Sequence, residues 1–373
     1  MLDILEEHRD EAAFLRLRRA RLDVMLEGDA RHERMLDGRL AAHLDALHVY
    51  ADDAYAALAP WLDSNDPHER YVAVAALMPT TRGEAATERL VRAGVSERVE
   101  RAVRDALIGY GRGYATGLVD AWLAEGDARH QAFALRVMAR WGDARTEKIA
   151  RRALRRDAPV VHRAAFAALA GLGARDAAPL AEALLSDCAT VAERDDVLTA
   201  LASLDRDAAL ALARAQLAAG TACGATGVIL CGVAATPEDH AVLGAWLPAE
   251  PPDAAVLVAL VLAGCHAWLD AWWAHSESPE VSNALREASY ALFGDEVPPR
   301  TLGPRASEEP DERASRLAEN ERLRVRMSAV TPGVRGLWGA RDGSELRAKA
   351  ARLGPRHRAW ATLACGAAGQ PIH

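Results

Sequence analysis

The sequence predicts an all-α protein, and specifically an α-solenoid of about eight to nine antiparallel helix pairs. First, the chain is rich in alanine, leucine and arginine and only 5% aromatic, a composition that favours helices over sheets. Second, a pattern of small and large apolar residues recurs about every 31 residues. Third, a second apolar track lies between these positions, so each repeat holds two helices. One such pair cannot bury its apolar face alone, but stacked pairs can.

The first repeat track marks the first helix of each pair. Each of its large apolar residues usually follows a small or β-branched residue, and a glycine often comes a few positions later. Successive members lie 29 to 32 positions apart, so we expect all of them in one continuous core. They are Leu77, Leu107, Met138, Leu169, Leu201, Leu230, Leu260 and Tyr290.

The second repeat track marks the end of the second helix of each pair, which we call helix B. Its members lie 30 to 32 positions apart. Glycines such as Gly111 and Gly142 follow the first track, where a helix commonly ends on a left-handed residue. The members of the second track are Leu123, Leu154, Leu185, Leu217 and Leu247.

The two ends of the chain lack the repeat pattern. Residues 1–60 have helical periodicity and are predicted to form an N-terminal cap on a solenoid over 61–297. Prolines among charged residues predict a linker or irregular segment over 298–343. Residues 344–373 are predicted to form a helix pair, broken at Gly354 and Pro355, that caps the array at its C-terminal end.

One repeat resembles a known family. The segment from Ala168–Gly173 through Asp176–Pro179 to Ala183–Leu185 is similar to the short HEAT repeat, a type also found in bilin lyases. This resemblance covers about residues 60–297 and implies a protein-binding array. The whole chain resembles an uncharacterised family of bacterial HEAT-repeat proteins often encoded near type VI secretion genes, which implies a secretion context. The segments that carry this second resemblance are Ile4–His8, Glu11–Leu15, Leu40–Leu47 and Arg356–Ala361.

Positive charge is concentrated in residues 136–163, although the chain as a whole has a net charge of −8. Such a stripe can grip a phosphate backbone, so a DNA-lesion or other nucleic-acid binder is an alternative function. The acidic total argues against it, because dedicated nucleic-acid binders are usually basic. The cations of the stripe are Arg136, Arg140, Arg145, Lys148, Arg151, Arg152, Arg155, Arg156 and Arg163.

The repeat period offers a structural explanation for two of these arginines. Each of them aligns with an acid one period earlier and one period later, and equivalent positions on stacked helices are neighbours. We therefore expect ladders of ion pairs between repeats, each exposed pair adding about 0–1 kcal/mol. The predicted ladders are Asp120–Arg151–Glu182 and Glu125–Arg156–Asp187.

Two groups of side chains are candidates for binding a partner. Lys148, Arg152 and Arg155 are spaced four and three residues apart, so they share one helical stripe outside the ladders. Trp272 and Trp246 lie on successive B helices, and tryptophan and arginine dominate interface hot spots. We expect these five residues on the concave helix-B face, where another protein would bind.

No set of residues points to catalysis. The positions at which HEAT-repeat di-iron hydroxylases carry His-Glu pairs hold other residues, and no nucleophile or phosphate-binding motif is present. The five cysteines include no CxxC pair, so neither a zinc site nor a disulfide framework is expected. We expect no cofactor and no enzymatic activity. A bilin-type or other small-cofactor lyase is the remaining alternative, because of the resemblance.

The sequence therefore predicts a non-catalytic protein–protein interaction scaffold or adaptor. The N-terminus is charged, unlike a signal peptide, and the longest apolar run, Ala254–Cys265, is too short to cross a bilayer. We accordingly expect a cytoplasmic protein whose partner is another protein, with neither a membrane nor a nucleic acid as its target.

Overall fold

The computed structural model is all-helical in the part of the chain that it describes, and that part contains no β-strand. This agrees with the predicted all-α class. The residues described are 2–22, 30–78, 80, 82–83, 85, 87–88, 96–155, 158–234, 236–246, 254–264, 269–273, 275–294, 309–329, 338, 340, 343–350, 352–353 and 355–366.

The described residues up to Asp187 form one compact unit, and those from Cys188 onward form a second. The first contains short 3₁₀ helices at Ala59–Asp63 and Arg175–Leu180. Its α-helices are α1 (Leu2–Leu22), α2 (Ala30–Val49), α3 (Ala51–Leu58), α4 (Pro67–Leu77), α5 (Glu97–Tyr110), α6 (Thr116–Glu125), α7 (Ala128–Trp141), α8 (Thr146–Ala153), α9 (Pro159–Gly171) and α10 (Ala181–Ser186).

The second unit continues the alternation of longer and shorter helices. Its helices are α11 (Val191–Leu204), α12 (Arg206–Ala218), α13 (Gly224–Ala234), α14 (Pro237–Trp246), α15 (Ala254–Ala263), α16 (Asp270–Trp273), α17 (Pro279–Phe293), α18 (Pro310–Ser328), α19 (Gly343–Ala350) and α20 (Pro355–Gly366).

The first repeat track supplies the core, as predicted. All eight of its residues are buried, none more than 1% exposed. Each lies in the first helix of a pair: α4, α5, α7, α9, α11, α13, α15 or α17. The regular spacing therefore places one large buried side chain in the first helix of each pair.

The second track is less deeply buried. Leu185 and Leu217 are buried, whereas Leu123 and Leu154 are only half-buried. Leu247 lies outside the described residues. The B helices therefore pack one side on the core and keep the other side in solvent, where a partner could reach them.

Two glycines that the sequence places after repeat helices end those helices in different ways. Gly142 ends α7 with a φ of 63°, the left-handed conformation that glycine adopts at low cost. Gly111 instead ends α5 with a φ of −83°. There the chain continues into a turn in which the Tyr114 amide donates to the Gly111 carbonyl, so no left-handed residue is needed.

The predicted N-terminal cap packs directly on the first repeat helices. The helices α1 and α2 form an extensively packed pair, and α1 also contacts α4. Arg16 in α1 lies over the Tyr71 ring, with 4.4 Å between its guanidinium carbon and the ring centroid. It also pairs with Asp105 of α5 at 2.7 Å. Within this unit α4 packs on α5, and α7 packs on α9.

The interior of the second unit is a row of three helices in which α13 contacts α15 and α15 contacts α17. Helix α15 is the apolar run noted in the sequence, and nine of its ten residues, Ala255–Ala263, are buried. This agrees with a buried helix. Among the described residues, no helix is long and apolar enough to span a membrane.

The segment predicted as a linker, 298–343, contains a 19-residue helix, α18 (Pro310–Ser328), and the prediction of an irregular segment is wrong there. Pro310 occupies the first helical turn, where its missing N–H costs nothing. Leu323 and Met327, one turn apart, are both buried and give the charged helix an apolar side. Pro310 therefore marks the beginning of a helix.

The C-terminal segment packs on the second unit. Helix α20 contacts α13 and α19. The buried Trp338 donates from Nε1 to Nδ1 of His357, at 2.9 Å, and Arg356 pairs with Glu287 of α17 at 2.8 Å. His357 is 1% exposed, and burial followed by the nearby arginines lowers its pKa to about 3.

Candidate functional site

A groove opens on the first unit where α6 and α8 both pack against α7. We call it the Arg152 groove. Its volume is about 300 Å³, at the lower end of the range for ligand pockets. The residues that line it are Asp120, Leu123, Ala124, Gln131, Leu135, Arg145, Ile149, Arg152 and Ala153.

The floor of the groove is apolar. Leu135 of α7 is fully buried, while Leu123 of α6 and Ile149 of α8 are half-buried and pack against the same core. Ile149 and Ala153 are four residues apart, so they face the same side of α8. Filling this floor with one large apolar side chain of a partner would be worth about 1.5–3 kcal/mol.

One side of the rim is an ordered ion-pair cluster. Arg145 pairs with Asp120 of α6 at 3.1 Å and with Asp143 at 2.8 Å, so it bridges the two helices that border the groove. Hydrogen bonds from Arg145 lower the pKa of Asp143 below its usual value. The guanidinium is therefore held in place and is not available to a partner without giving up these bonds.

On the other side of the rim lies Arg152, and Lys148 and Arg155 are four and three residues from it in the sequence. All three are exposed, and no ion pair involves any of them within the described residues. Lys148 and Arg152 are four residues apart, and like charges at this spacing destabilise a helix by about 0.2–0.5 kcal/mol. This pair of like charges does not stabilise the fold. The partial negative charge at the C-terminal end of α8 offsets part of the repulsion between them.

The ladder that the repeat period predicts has different partners in the structure. Arg151 pairs with Glu147 at 2.9 Å and with Asp176 at 2.8 Å, and not with Asp120 or Glu182. Asp120 forms its ion pair with Arg145 instead. Both inter-repeat pairs join residues 25 positions apart, because a long guanidinium side chain reaches past its equivalent position on the next helix.

The second predicted ladder stays a prediction, because its central residue Arg156 lies outside the described residues. Its two acids, Glu125 and Asp187, are exposed. The second unit contains a third pair with the 25-residue spacing, which the sequence reasoning missed. Arg214 of α12 donates two hydrogen bonds of 2.7 Å to Asp239 of α14, whose side chain is fully buried.

The predicted basic stripe over 136–163 is partly neutralised. Arg136 lies 3.7 Å from Glu100, and the acids named above engage Arg145 and Arg151. A phosphate backbone would have to compete with these carboxylates. The cations of the groove rim remain available, and they are few for tight binding of duplex DNA.

The tryptophans do not join the groove residues in a single described site. Trp272 belongs to the second unit, is half-buried and lies with its ring centroid 6.0 Å from that of His275. Its neighbour Trp273 is buried. The side chain of Trp246 lies outside the described residues. The prediction of one surface containing both the cations and the tryptophans therefore stays a prediction.

Comparison with known proteins adds no family to this description. Protein-family models, curated proteins and solved structures were each compared with the chain, and none of them matches it. In the described part of the chain, no group of three or more His, Cys, Asp or Glu side chains could hold a metal ion.

Sequence reasoning found Arg152 but missed most of the groove around it. Asp120 and Arg145 were interpreted as parts of a ladder and a stripe, and Leu135, Ile149 and Gln131 carried no signal of their own. The available signal was the amphipathic pattern of α8, in which isoleucine and alanine alternate with charges at helical spacing. That pattern predicts a helix with one exposed side, but it does not predict the groove between this helix and α6.

Proposed function

We propose that this protein is a non-catalytic binding module that holds an acidic segment of another protein in the Arg152 groove. The partner would place one large apolar side chain on the groove floor and direct its carboxylates towards Lys148, Arg152 and Arg155. The observation that carries the proposal is an open apolar floor beside Arg152, which, like the nearby Lys148 and Arg155, is exposed and has no acid partner among the described residues.

The proposal also assigns a wider architecture. We infer that the helix pairs stack as a HEAT-type solenoid whose B helices form the partner-binding face. The sequence period and the regular alternation of helices support this inference. The resemblance to HEAT-repeat proteins encoded near type VI secretion genes suggests an adaptor role in that setting.

The test is a comparison of two charge reversals. Arg152→Glu inverts a groove cation, whereas Arg34→Glu inverts an exposed arginine of α2 outside the groove and serves as the matched control. Each purified protein is used to capture partners from a lysate of the source cells, with quantitative mass spectrometry. We expect a protein that is retained by the wild type and by the Arg34 variant and lost with the Arg152 variant.

Titration calorimetry with the captured protein then measures the effect. We expect Arg152→Glu to weaken binding by about tenfold or more, which is about 1.4 kcal/mol, because an attractive contact becomes repulsive. Equal retention by all three proteins would refute the groove as the binding site. A gel-shift at physiological salt covers the alternative: retardation of duplex DNA that is lost in Arg152→Glu would favour the nucleic-acid function.

A further inference from the structure

A pair of histidines lies inside the contact between α1 and α2. Nδ1 of His8 and Nδ1 of His43 are 2.9 Å apart, and the ring centroids are separated by 5.1 Å. Both side chains are half-buried, so solvent and small ions can reach them. The groove is built from other helices, so this pair is independent of the proposed function.

The positions of these histidines belong to an apolar seam. In α1, His8 stands between the buried residues Leu5 and Ala12 in a spacing of three and four residues. His43 holds the corresponding place in α2, between Leu40 and Leu47, which are also buried. Alternating three- and four-residue steps are typical of two helices packed side by side, and a polar residue in such a seam costs stability. An apolar side chain would pack better at both positions.

The protonation state suits metal binding. A neutral imidazole donates from one ring nitrogen and accepts at the other, so the two Nδ1 atoms in contact share a single proton. Neutral imidazole nitrogen is the form that binds zinc and similar metals.

The geometry is close to that of a shared tetrahedral ligand pair. With metal–nitrogen bonds of about 2.0–2.1 Å, two imidazoles on one tetrahedral metal have nitrogens about 3.3 Å apart and ring centres about 5.2 Å apart. The ring centres of His8 and His43 are already 5.1 Å apart. The two Nδ1 atoms now point at each other, so each ring would have to turn by roughly 35° to open the nitrogens by about 0.4 Å and direct both of them at one metal.

The surrounding charges do not oppose a cation. The carboxylates of Glu11 and Glu7 act on His43 in the direction that favours positive charge, and Arg39 acts in the opposite direction. Arg39 is paired with Glu11 at 2.7 Å, which offsets its charge.

We propose that His8 and His43 form an exchangeable site for a divalent transition metal of the zinc class, which joins α1 to α2. Two protein ligands leave the remaining positions to water, in keeping with the lack of a three-ligand cluster among the described residues. When the metal binds, both Nδ1 atoms coordinate it, and the ring that carried the shared proton on Nδ1 exchanges it through solvent for a proton on its own Nε2, so both imidazoles remain neutral. The metal would replace one weak hydrogen bond in the seam with two coordinate bonds.

The test is a calorimetric titration of the untagged full-length protein with Zn²⁺. The wild type is compared with His8→Gln, His43→Gln and, as the matched control, His32→Gln, which changes a histidine of the same hairpin outside the pair. We expect one site per chain in the wild type and in His32→Gln. Each pair variant should weaken it by more than the roughly 10-fold that losing a second-shell partner costs.

Thermal unfolding with and without Zn²⁺ supplies a second readout. Bound metal should raise the Tm of the wild type and of His32→Gln and leave both pair variants unchanged, because a ligand of the folded state stabilises it. Far-UV circular dichroism checks that the variants remain helical, and the two pair variants test the site separately should one fail to fold. Equal Zn²⁺ affinity in all four proteins, or no binding by the wild type, would overturn the proposal.

Discussion

Two arginine–aspartate pairs with the same spacing behave differently in the two units. Arg151 and Asp176 in the first unit and Arg214 and Asp239 in the second are each 25 positions apart and joined by hydrogen bonds of 2.7–3.1 Å. The side chain of Asp176 is 66% exposed, whereas that of Asp239 is fully buried. The spacing brings the partners together in both units, but the surroundings set the energy of the contact.

The comparison separates charges that stabilise the fold from charges that are available to a partner. Removing one member of a buried pair leaves an uncompensated charge, whereas an exposed pair exchanges its partner for water at little cost. The exposed charged side chains around the Arg152 groove can therefore exchange their contacts for those of a partner at little cost in stability. The buried pair in the second unit is expected to act as a structural link between α12 and α14.

The largest effect is expected from Arg214→Ala. The substitution leaves the Asp239 carboxylate buried without its cation, with Thr236 and the Cys231 thiol still hydrogen-bonded to it, and we expect a loss of about 2 kcal/mol in the free energy of unfolding. This is below the full cost of breaking a buried pair because Arg214 is 37% exposed. Urea unfolding measures it, and a loss comparable to that of Arg151→Ala would break the distinction between the two pairs.

The pH dependence of stability in acid provides a control for the Arg214 variant. Burial alone would raise the pKa of Asp239, but the bonds from Arg214 and Thr236 outweigh it and leave the pKa below 3.8. The pair therefore contributes fully above pH 3.8, and its contribution is lost as the pH falls through the lower folded value. Stability of the Arg214 variant should fall less steeply than that of the wild type in this acidic range.

An intermediate effect is expected at His357, another buried ionisable group of the second unit. Its pKa is about 3 in the folded chain and 6.5 when unperturbed, so the unfolded chain binds an extra proton between these values. Stability should therefore fall by roughly 1–2 kcal/mol as the pH drops from 6.5 to 5. His357→Gln should remove this part of the slope, and urea unfolding at both pH values measures it. An unchanged slope would show that His357 is not held neutral by burial.

The smallest effect is expected from Arg151→Ala. The substitution removes the guanidinium, and the exposed carboxylates of Glu147 and Asp176 are hydrated in its place, so no measurable change in stability is expected. Thermal unfolding at low and high salt is the measurement. A clear loss that disappears at high salt would mean that the exposed ion pairs act as a stabilising network, and the comparison with Arg214 would need revision.

The sequence predicted the core of this protein well because packing is periodic. Leu77, Leu169 and Leu260 are buried in equivalent helices, as the register of the repeat requires. It predicted the ion pairs poorly. Arg151 was aligned with Asp120 by period, but a flexible side chain reaches beyond its register, and the alignment of helices does not determine which acid it meets. The helix α18 was missed because Pro310, together with the prolines that precede it in the sequence, was interpreted as a sign of an irregular segment.

Composition and repeat spacing alone determined that the chain is helical and which side chains fill its interior, because burial depends mainly on the local period of apolar residues. Only the tertiary structure decided where the Arg152 groove opens, which arginines are already paired, and that His8 meets His43. Each of these depends on the distance between helices that are far apart in the chain. A one-dimensional pattern contains the period of such helices but not the gap between them.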